Sequence, residues 1–515
     1  MEHAIDEAAP RKLIGRASIV AAGTIYRQAI SFISGLVVAR VIGAADYGIF
    51  NLARNLVEVT GIFTRLGLDL GLQRFFGETN TAQHRASRIV VLRRVRLLAN
   101  ALALLPVIAV MLGLGRTLEA NVYQYSGFAE VLLCLALALP FLTDLGVLGG
   151  AYRGILKLAP SVIAECVLLP TIRLAAIVVL FLAGWRLWAV VAGTTFASLI
   201  ASWFLAMRAR SDFRDGAPAL PGSWADAFRV VRYSTVLAGS MVVTALTTSM
   251  DMLVLGHFTT AEDLGQYSLV KTLLILTGVL GVACGQGLEV LVADRYFRGD
   301  LAGMVRVMSL SARFITLVTV PIFAIFLFWG AQIALFFGPS FAVSQAVVCW
   351  LAAGPLISMM FWPSATGLSM TGRHFLELKI LAAGLVVAAA LCWVAVPAFG
   401  QLGAAVAMCT SVAVANLARV LAVRRFIGAF PFGNDIFLVA ATGIALAWGS
   451  NAVVAQFSLS SSWSTVAGIG CFVLSYAIAS WTRLLSESEK SGIHGAVRSA
   501  AGILFSKVGE LVKRA

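Results

Sequence analysis

The sequence predicts an all-α polytopic membrane protein of about fourteen spans. Two six-helix lobes, related by a pseudo-two-fold axis along the membrane normal, are followed by two further C-terminal transmembrane helices. Three observations carry this. Of 515 residues, 60% are hydrophobic and only 12% charged, whereas soluble domains carry about 25% charged residues. The apolar residues fall into stretches of roughly 20, the length that a hydrocarbon core ~30 Å thick demands. The 39 basic residues also segregate. With the N-terminus assigned to the cytoplasm, outer loops hold only Arg40, Arg116 and Arg186, and most of the others lie in inner loops and tails, the positive-inside pattern.

Taken in order, residues 1–16 form a cytoplasmic segment with Arg11, Lys12 and Arg16. It opens like a signal peptide, but the apolar stretch after it is too long and no A-x-A site follows, so a retained first helix is expected. The N-lobe, 17–207, holds spans near 17–39, 47–71, 97–115, 125–148, 160–182 and 187–207. A Pro/Gly-containing cytoplasmic linker covers 208–232. The C-lobe, 233–423, holds spans near 233–256, 264–291, 307–329, 344–367, 376–396 and 402–423. The last two spans, near 436–455 and 464–482, lie within 424–485. In the tail, 486–515, Val497, Ala501, Leu504, Val508 and Leu511 recur at helical spacing beside Arg498, Lys507, Lys513 and Arg514. That is the pattern of an amphipathic helix on the cytoplasmic membrane face, with a solvated tail as the plainer reading.

The two lobes read as a duplication. Asp46-Tyr47-Gly48 matches Asp263-Leu264-Gly265 at an offset of 217, which sets Lys271 on Arg54. Pro106 and Pro321, Pro140 and Pro355, Gly154 and Gly372, and Gly184 and Gly400 follow in one order at offsets of 215 to 218. Six spans per half insert both halves in the same orientation, as in transporters built from parallel repeats.

Seven basic residues lie inside spans: Arg27, Arg54, Arg65, Arg173, Lys271, Arg313 and Arg419. A charge at mid-bilayer costs at least ~2.5 kcal/mol, so such residues face a watery cavity or a partner. Arg54, Glu58, Arg65 and Asp69 fall on one narrow stripe at 100° per residue. They fit either a substrate path or a self-neutralising ladder. Arg27 lies ~15 Å into the first span, too deep to snorkel easily. Arg54 and Lys271 lie on repeat-equivalent helices, where the pseudo-two-fold axis would set them facing each other. Arg27, Arg54, Lys271, Arg65 and Arg173 are the candidate contacts for an anionic substrate, with structural pairing as the alternative for each. Arg313 and Arg419, near cytoplasmic ends, are expected to snorkel. Candidates for carrying a coupling proton or cation are Glu58, Asp69, Asp144, Asp251 and Glu289, because burial raises a carboxyl's proton affinity.

Several signatures are missing. There is no G-x-x-x-x-G-K-[ST] loop, H-E-x-x-H or G-x-S-x-G, and the seven cysteines lie scattered in apolar stretches. No enzyme activity, cofactor or metal is expected, and no nucleic-acid partner.

The stretch GAADYGIFNLA…GLDLGLQRF, with its echo in the second half, resembles the polysaccharide transporter family. This family comprises the O-antigen and exopolysaccharide flippases of the multidrug/oligosaccharidyl-lipid/polysaccharide exporter superfamily. The resemblance implies a V-shaped two-lobed fold with a cationic central cavity in the bacterial inner membrane. Its substrate would be undecaprenyl-diphosphate-linked oligosaccharide, moved from cytoplasmic to periplasmic leaflet. It implies membrane lipids, H+ or Na+ as coupling ion, and a polysaccharide polymerase and chain-length regulator as partners. In the related peptidoglycan-precursor flippases two extra C-terminal helices form a lipid groove, and 436–482 would correspond. Two other classes stay open: a cation-coupled exporter of drugs or small amphiphiles, and a membrane-embedded glycosyl transferase or polymerase. The first expects a carboxylate-dominated cavity, the second a sizeable charged outer loop. The cationic residues and the short outer loops favour the flippase.

Both termini are therefore expected in the cytoplasm. Reporter fusions within residues 211–222 should report a cytoplasmic location, and a periplasmic signal there would overturn the orientation.

Overall fold

A computed structural model describes residues 8–78, 85–213, 224–456, 461–485 and residue 490, and among these every regular element is helical. The first half runs α1 (Ala8–Arg65), α2 (Leu68–Glu78), α3 (Arg85–Ala109), α4 (Gly115–Leu118), α5 (Phe128–Ala136), α6 (Leu139–Gly154), α7 (Leu158–Val162), α8 (Leu169–Leu182) and α9 (Leu187–Asp212). The second runs α10 (Trp224–Phe258), α11 (Ala261–Phe297), α12 (Leu301–Leu335), α13 (Gln345–Met360), α14 (Trp362–Met370) and α15 (His374–Ile427), then α16 (Asp435–Ala455) and α17 (Ser461–Ala479). The expected amphipathic helix of the tail, the start of the N-terminal segment and the middle of the linker lie outside the described residues.

Among the described residues ten helices are long and apolar enough to cross a membrane, or eleven when the pair α13 and α14, bent by 42°, counts as one. Two of the ten run to 59 and 54 residues, and each contains a glycine with non-helical backbone, Gly43 and Gly400. The sequence-based figure of about fourteen counts the limbs on either side of these glycines separately and includes both the α13–α14 pair and α11, which is not among the ten.

Local chemistry explains where the helices begin. Thr260 starts α11 with a reciprocal cap. Its Oγ1 accepts from the Asp263 amide at 3.2 Å, while Asp263 Oδ2 accepts from the Thr260 amide at 3.3 Å. Asp300 starts α12 by accepting from the Gly303 amide at 2.8 Å. That bond, together with a second from Arg295, holds the Asp300 carboxyl below its ordinary range.

Two close crossings tie the halves together. In one, Gly67 and Gly71 lie against Ser234 of α10, where a Cβ would meet its carbonyl oxygen at 2.8 Å and its hydroxyl at 1.8 Å; the other joins α1 to α11. A Cβ on Gly48 would lie 2.2 Å from the Ala261 carbonyl oxygen, and a Cβ on Gly265 1.8 Å from the Ala44 carbonyl oxygen. The contact is reciprocal: both pairs, Gly48/Gly265 and Ala44/Ala261, are separated by 217 residues. Only glycine allows backbones this close, and in lipid such packing replaces the hydrophobic drive as the source of helix association. Around the crossing, Tyr47 Oη bonds Thr272 Oγ1 at 2.9 Å, Arg40 donates to the Phe336 carbonyl at 3.0 Å, and Gln401 donates to Asp263 and Gln266. The last two helices lie against α12, where Phe472 packs on Trp329 and Tyr476 Oη donates to the Leu317 carbonyl at 2.9 Å.

Gly265→Val should therefore push α1 and α11 apart and destabilise the protein by about 1–3 kcal/mol, the usual range for overpacking. Gly449→Ala, where a Cβ meets open space, should leave the melting temperature unchanged. Equal melting temperatures for Gly265→Val and the unsubstituted protein would contradict the crossing.

Candidate substrate cavity

Three adjoining cavities lie between the halves. The first, about 520 Å³, is lined by Glu58, Arg65 and Asp69 from one half and Thr244 and Thr248 from the other. The second, about 450 Å³, contains Asp251, Lys271, Trp350 and Gln28. The third, about 50 Å³, contains Arg54, Arg173, Ser31 and Tyr47. Thr248 lines both the first and second, and Ile275 both the second and third, so each cavity borders the next.

The structure alters the expected stripe. The helix carrying Arg54 ends at Arg65, because Leu66 (φ 47°) and Gly67 (φ 65°) turn left-handed before α2 begins. Asp69 thus leaves the helical ladder and faces Arg153 at 3.8 Å. Arg54 Nε keeps Glu58 at 2.7 Å, one helical turn away. Arg65 Nε donates to the Gly61 carbonyl at 3.1 Å and stays half-buried. The α2–α6 packing behind this region depends on close approach: a Cβ on Gly150 would meet the Asp69 backbone oxygen at 2.2 Å.

Arg54 and Lys271 line neighbouring cavities rather than one, and each is held by its own carboxylate. Lys271 Nζ lies 2.9 Å from both oxygens of Asp251 and 3.0 Å from the Thr248 carbonyl. Asp251 is buried and also accepts from Tyr267 Oη at 2.8 Å. The position equivalent to Asp251 in the first half is Ser34, and the position equivalent to Glu58 in the second half is Ile275. The duplicated cations are therefore neutralised from different directions. Arg54–Glu58 is 40% and 56% exposed, so it contributes little and is easily exchanged. In Lys271–Asp251 the carboxylate is buried and the ammonium half-buried with three oxygens around it, so it is not.

Arg173 meets no carboxylate within ion-pair distance among the described residues; its Nη2 donates to Ser31 Oγ at 3.3 Å. Arg27 is exposed, outside all three cavities, with Glu165 as its charged neighbour. Of the carboxylate candidates, Asp144 belongs to another cluster, with Arg96 at 2.6 and 2.8 Å and Ser202 at 3.1 Å. Glu289 is exposed and lines none of these cavities. Arg419 does not snorkel: it forms a two-pronged pair with Glu377 at 2.8 and 3.0 Å, both side chains nearly buried. Arg313 is likewise held, by Asp435 at 3.5 Å and the Leu484 carbonyl.

The sequence reading missed Arg153, which gathers Asp69 and Glu165 at 3.8 and 3.5 Å. Its position at the inner end of a span made it look like an anchor. No signal in the sequence marks it, because Asp69 and Glu165 lie on other helices and the π-helical segment Ile163–Leu168 shows only in the structure.

The architecture is that of a polytopic membrane protein. A profile of the family described as polysaccharide biosynthesis protein matches residues 15–286, more than half the chain, and the chain belongs to that family. No curated protein sequence matches it. Among solved structures, the lipid II flippase MurJ in an inward closed conformation superposes with a TM-score of 0.72 at 13% identity, covering 90% of this chain and 97% of that one. An inward-facing multidrug resistance MATE family transporter of the MOP superfamily gives 0.63 at 13% identity, covering 81% and 98%. The eukaryotic MATE transporter AtDTX14 gives 0.54 at 17%, covering 80% and 95%. At these identities the likeness is one of fold.

The Asp251–Lys271 pair makes a stability prediction. Lys271→Met leaves a buried carboxylate uncompensated and should destabilise the protein by ~3–5 kcal/mol, whereas Asp251→Asn/Lys271→Met should recover most of that. Additive losses in denaturation of the two single variants and the double would contradict the pairing.

Proposed function

We propose that this protein is a flippase for undecaprenyl-diphosphate-linked oligosaccharide in the bacterial inner membrane, serving O-antigen, exopolysaccharide or capsule assembly. The observation that carries this reading is the charge of the path along these cavities. Arg65 and Arg173 line it without carboxylate partners among the described residues, and Arg54 has only an exposed one. A diphosphate entering such a path meets cations in a medium where each charge-assisted contact is stronger than in water. The membership of the polysaccharide biosynthesis family supports a lipid-linked sugar over a drug.

The mechanism follows from the two neutralised cations. Glu58 yields Arg54 to the incoming phosphate at little expense, so Arg54, Arg65 and Arg173, with Arg27 at the approach, form the first contacts. Lys271 joins only when Asp251 gives it up, which a proton or sodium ion on Asp251 would bring about. Cation uptake and anion grip are thereby linked, and rocking of the two lobes, which parts the α1–α11 crossing, turns the path from one leaflet to the other. Both termini and the 208–232 linker lie on the cytoplasmic side in this reading. A polysaccharide polymerase and a chain-length regulator act downstream. The second reading is a cation-coupled amphiphile exporter. It is favoured by one observation, the buried Asp251 on the cavity wall, and by the MATE-like fold.

In vesicles holding a lipid-diphosphate oligosaccharide, Arg173→Ala should slow translocation roughly ten- to hundred-fold, the loss of one charge-assisted contact of ~1.5–3 kcal/mol. Arg173→Lys should retain more activity than Arg173→Glu. Wild-type transport by Arg173→Glu at normal protein levels would sink the cationic-path reading, and faster efflux of an organic cation by that variant would favour the exporter.

A further inference from the structure

A fourth cavity, about 600 Å³, lies apart from the path and shares no lining residue with it. It sits where α3 begins and α9 ends. Both helices pack on α6, and between them they leave a gap rather than an interface. The floor is the Asp144 cluster: Arg96 of α3 and Ser202 of α9 both bond this one carboxylate of α6. Arg96 is thereby neutralised.

At the mouth the balance is different. Arg93 and Arg210 line the cavity, both exposed, and neither meets a carboxylate within ion-pair distance among the described residues. Arg210 has only the Met207 sulfur, at 3.7 Å. The remaining walls are largely apolar, with Ile89, Leu92, Met207 and Phe213. Helical spacing then continues the groove along the lipid-facing surface. Leu97 lies one turn beyond Arg93 and is 64% exposed; Trp203 lies one turn before Met207 and is 63% exposed. Two unneutralised guanidinium groups above an apolar channel match one ligand chemistry: a phosphate that carries hydrocarbon chains.

We propose that the α3–α9 gap binds one anionic phospholipid, its phosphate between Arg93 and Arg210 and its acyl chains along the exposed apolar faces of the two helices. The occupant is a bilayer lipid, not the transported molecule, because the Asp144 floor closes the gap toward α6.

The test is native mass spectrometry of the full chain in a non-ionic detergent. Phosphatidylglycerol and phosphatidylcholine of identical acyl chains are supplied in equal amounts. One phosphatidylglycerol should be retained in preference. Arg93→Gln/Arg210→Gln should reduce that preference roughly thirtyfold, as for two basic contacts at about 1 kcal/mol each. Arg295→Gln/Arg298→Gln, at exposed arginines elsewhere on the surface, should leave it unchanged. Should the glutamine pair fail to fold, Arg93→Lys/Arg210→Lys carries the test and should keep the preference. Equal retention of both lipids by the unsubstituted protein or the lysine pair would overturn the proposal. So would an equal loss at Arg295 and Arg298, or displacement of the lipid by millimolar inorganic phosphate, the mark of a soluble-anion site.

Discussion

The reciprocal approach of Gly48 to Ala261 and of Gly265 to Ala44 is the constraint on which the rest of the structure depends. Two helix backbones touch, and they can do so only where no side chain intervenes. Six residues further along each helix, about 9 Å at 1.5 Å per residue, stand Arg54 and Lys271. The crossing therefore fixes how far below the closed end the first cations lie, and how near each other the two halves bring them. The three cavities described above lie between the halves that it joins.

From this local symmetry the charges depart. Had the duplication been kept residue for residue, Ser34 would be an acid and Lys271 would face the same surroundings as Arg54. Instead one half buries a complete set, Asp251 with Lys271 and Tyr267, and the other leaves Arg173 with a serine and Arg65 with a carbonyl. A buried pair is costly to break and an exposed one cheap to exchange. The two halves therefore offer an anion different things: immediate contacts on one side, and on the other a cation released only when its carboxylate is discharged. The proposed link between ion and substrate rests on that inequality, not on the number of basic residues.

Much of this was legible in the sequence, and the misses have one physical origin. Hydropathy marks the helices because lipid imposes a single requirement on every span, and the Asp46-Tyr47-Gly48 motif with its echo marks the crossing because close approach demands glycine. Pairings between helices leave no such trace. Glu377 and Arg419 are 42 residues apart and Arg96 and Asp144 are 48 apart, so no periodicity could reveal that these arginines are neutralised. The break at Leu66 was equally hidden, since leucine is an ordinary helix former and only its neighbour Gly67 hinted at a turn. The stripe from Arg54 to Asp69 keeps one helix for three residues and breaks before the fourth for that reason, while Asp69 still lines the first cavity with Glu58 and Arg65.

The central claim is that the end of the molecule sealed by α1 and α11 must open for substrate to leave. Arg40 and Phe336, both exposed, meet across that seal. Cysteines at these two positions, joined by a short bis-methanethiosulfonate, would tether the halves without altering the cavity. The direct measurement is translocation of the lipid-linked oligosaccharide by the tethered protein in vesicles, before and after reduction. The account predicts that tethering stops transport and that reduction restores it; transport by the tethered protein at the untethered rate would contradict it.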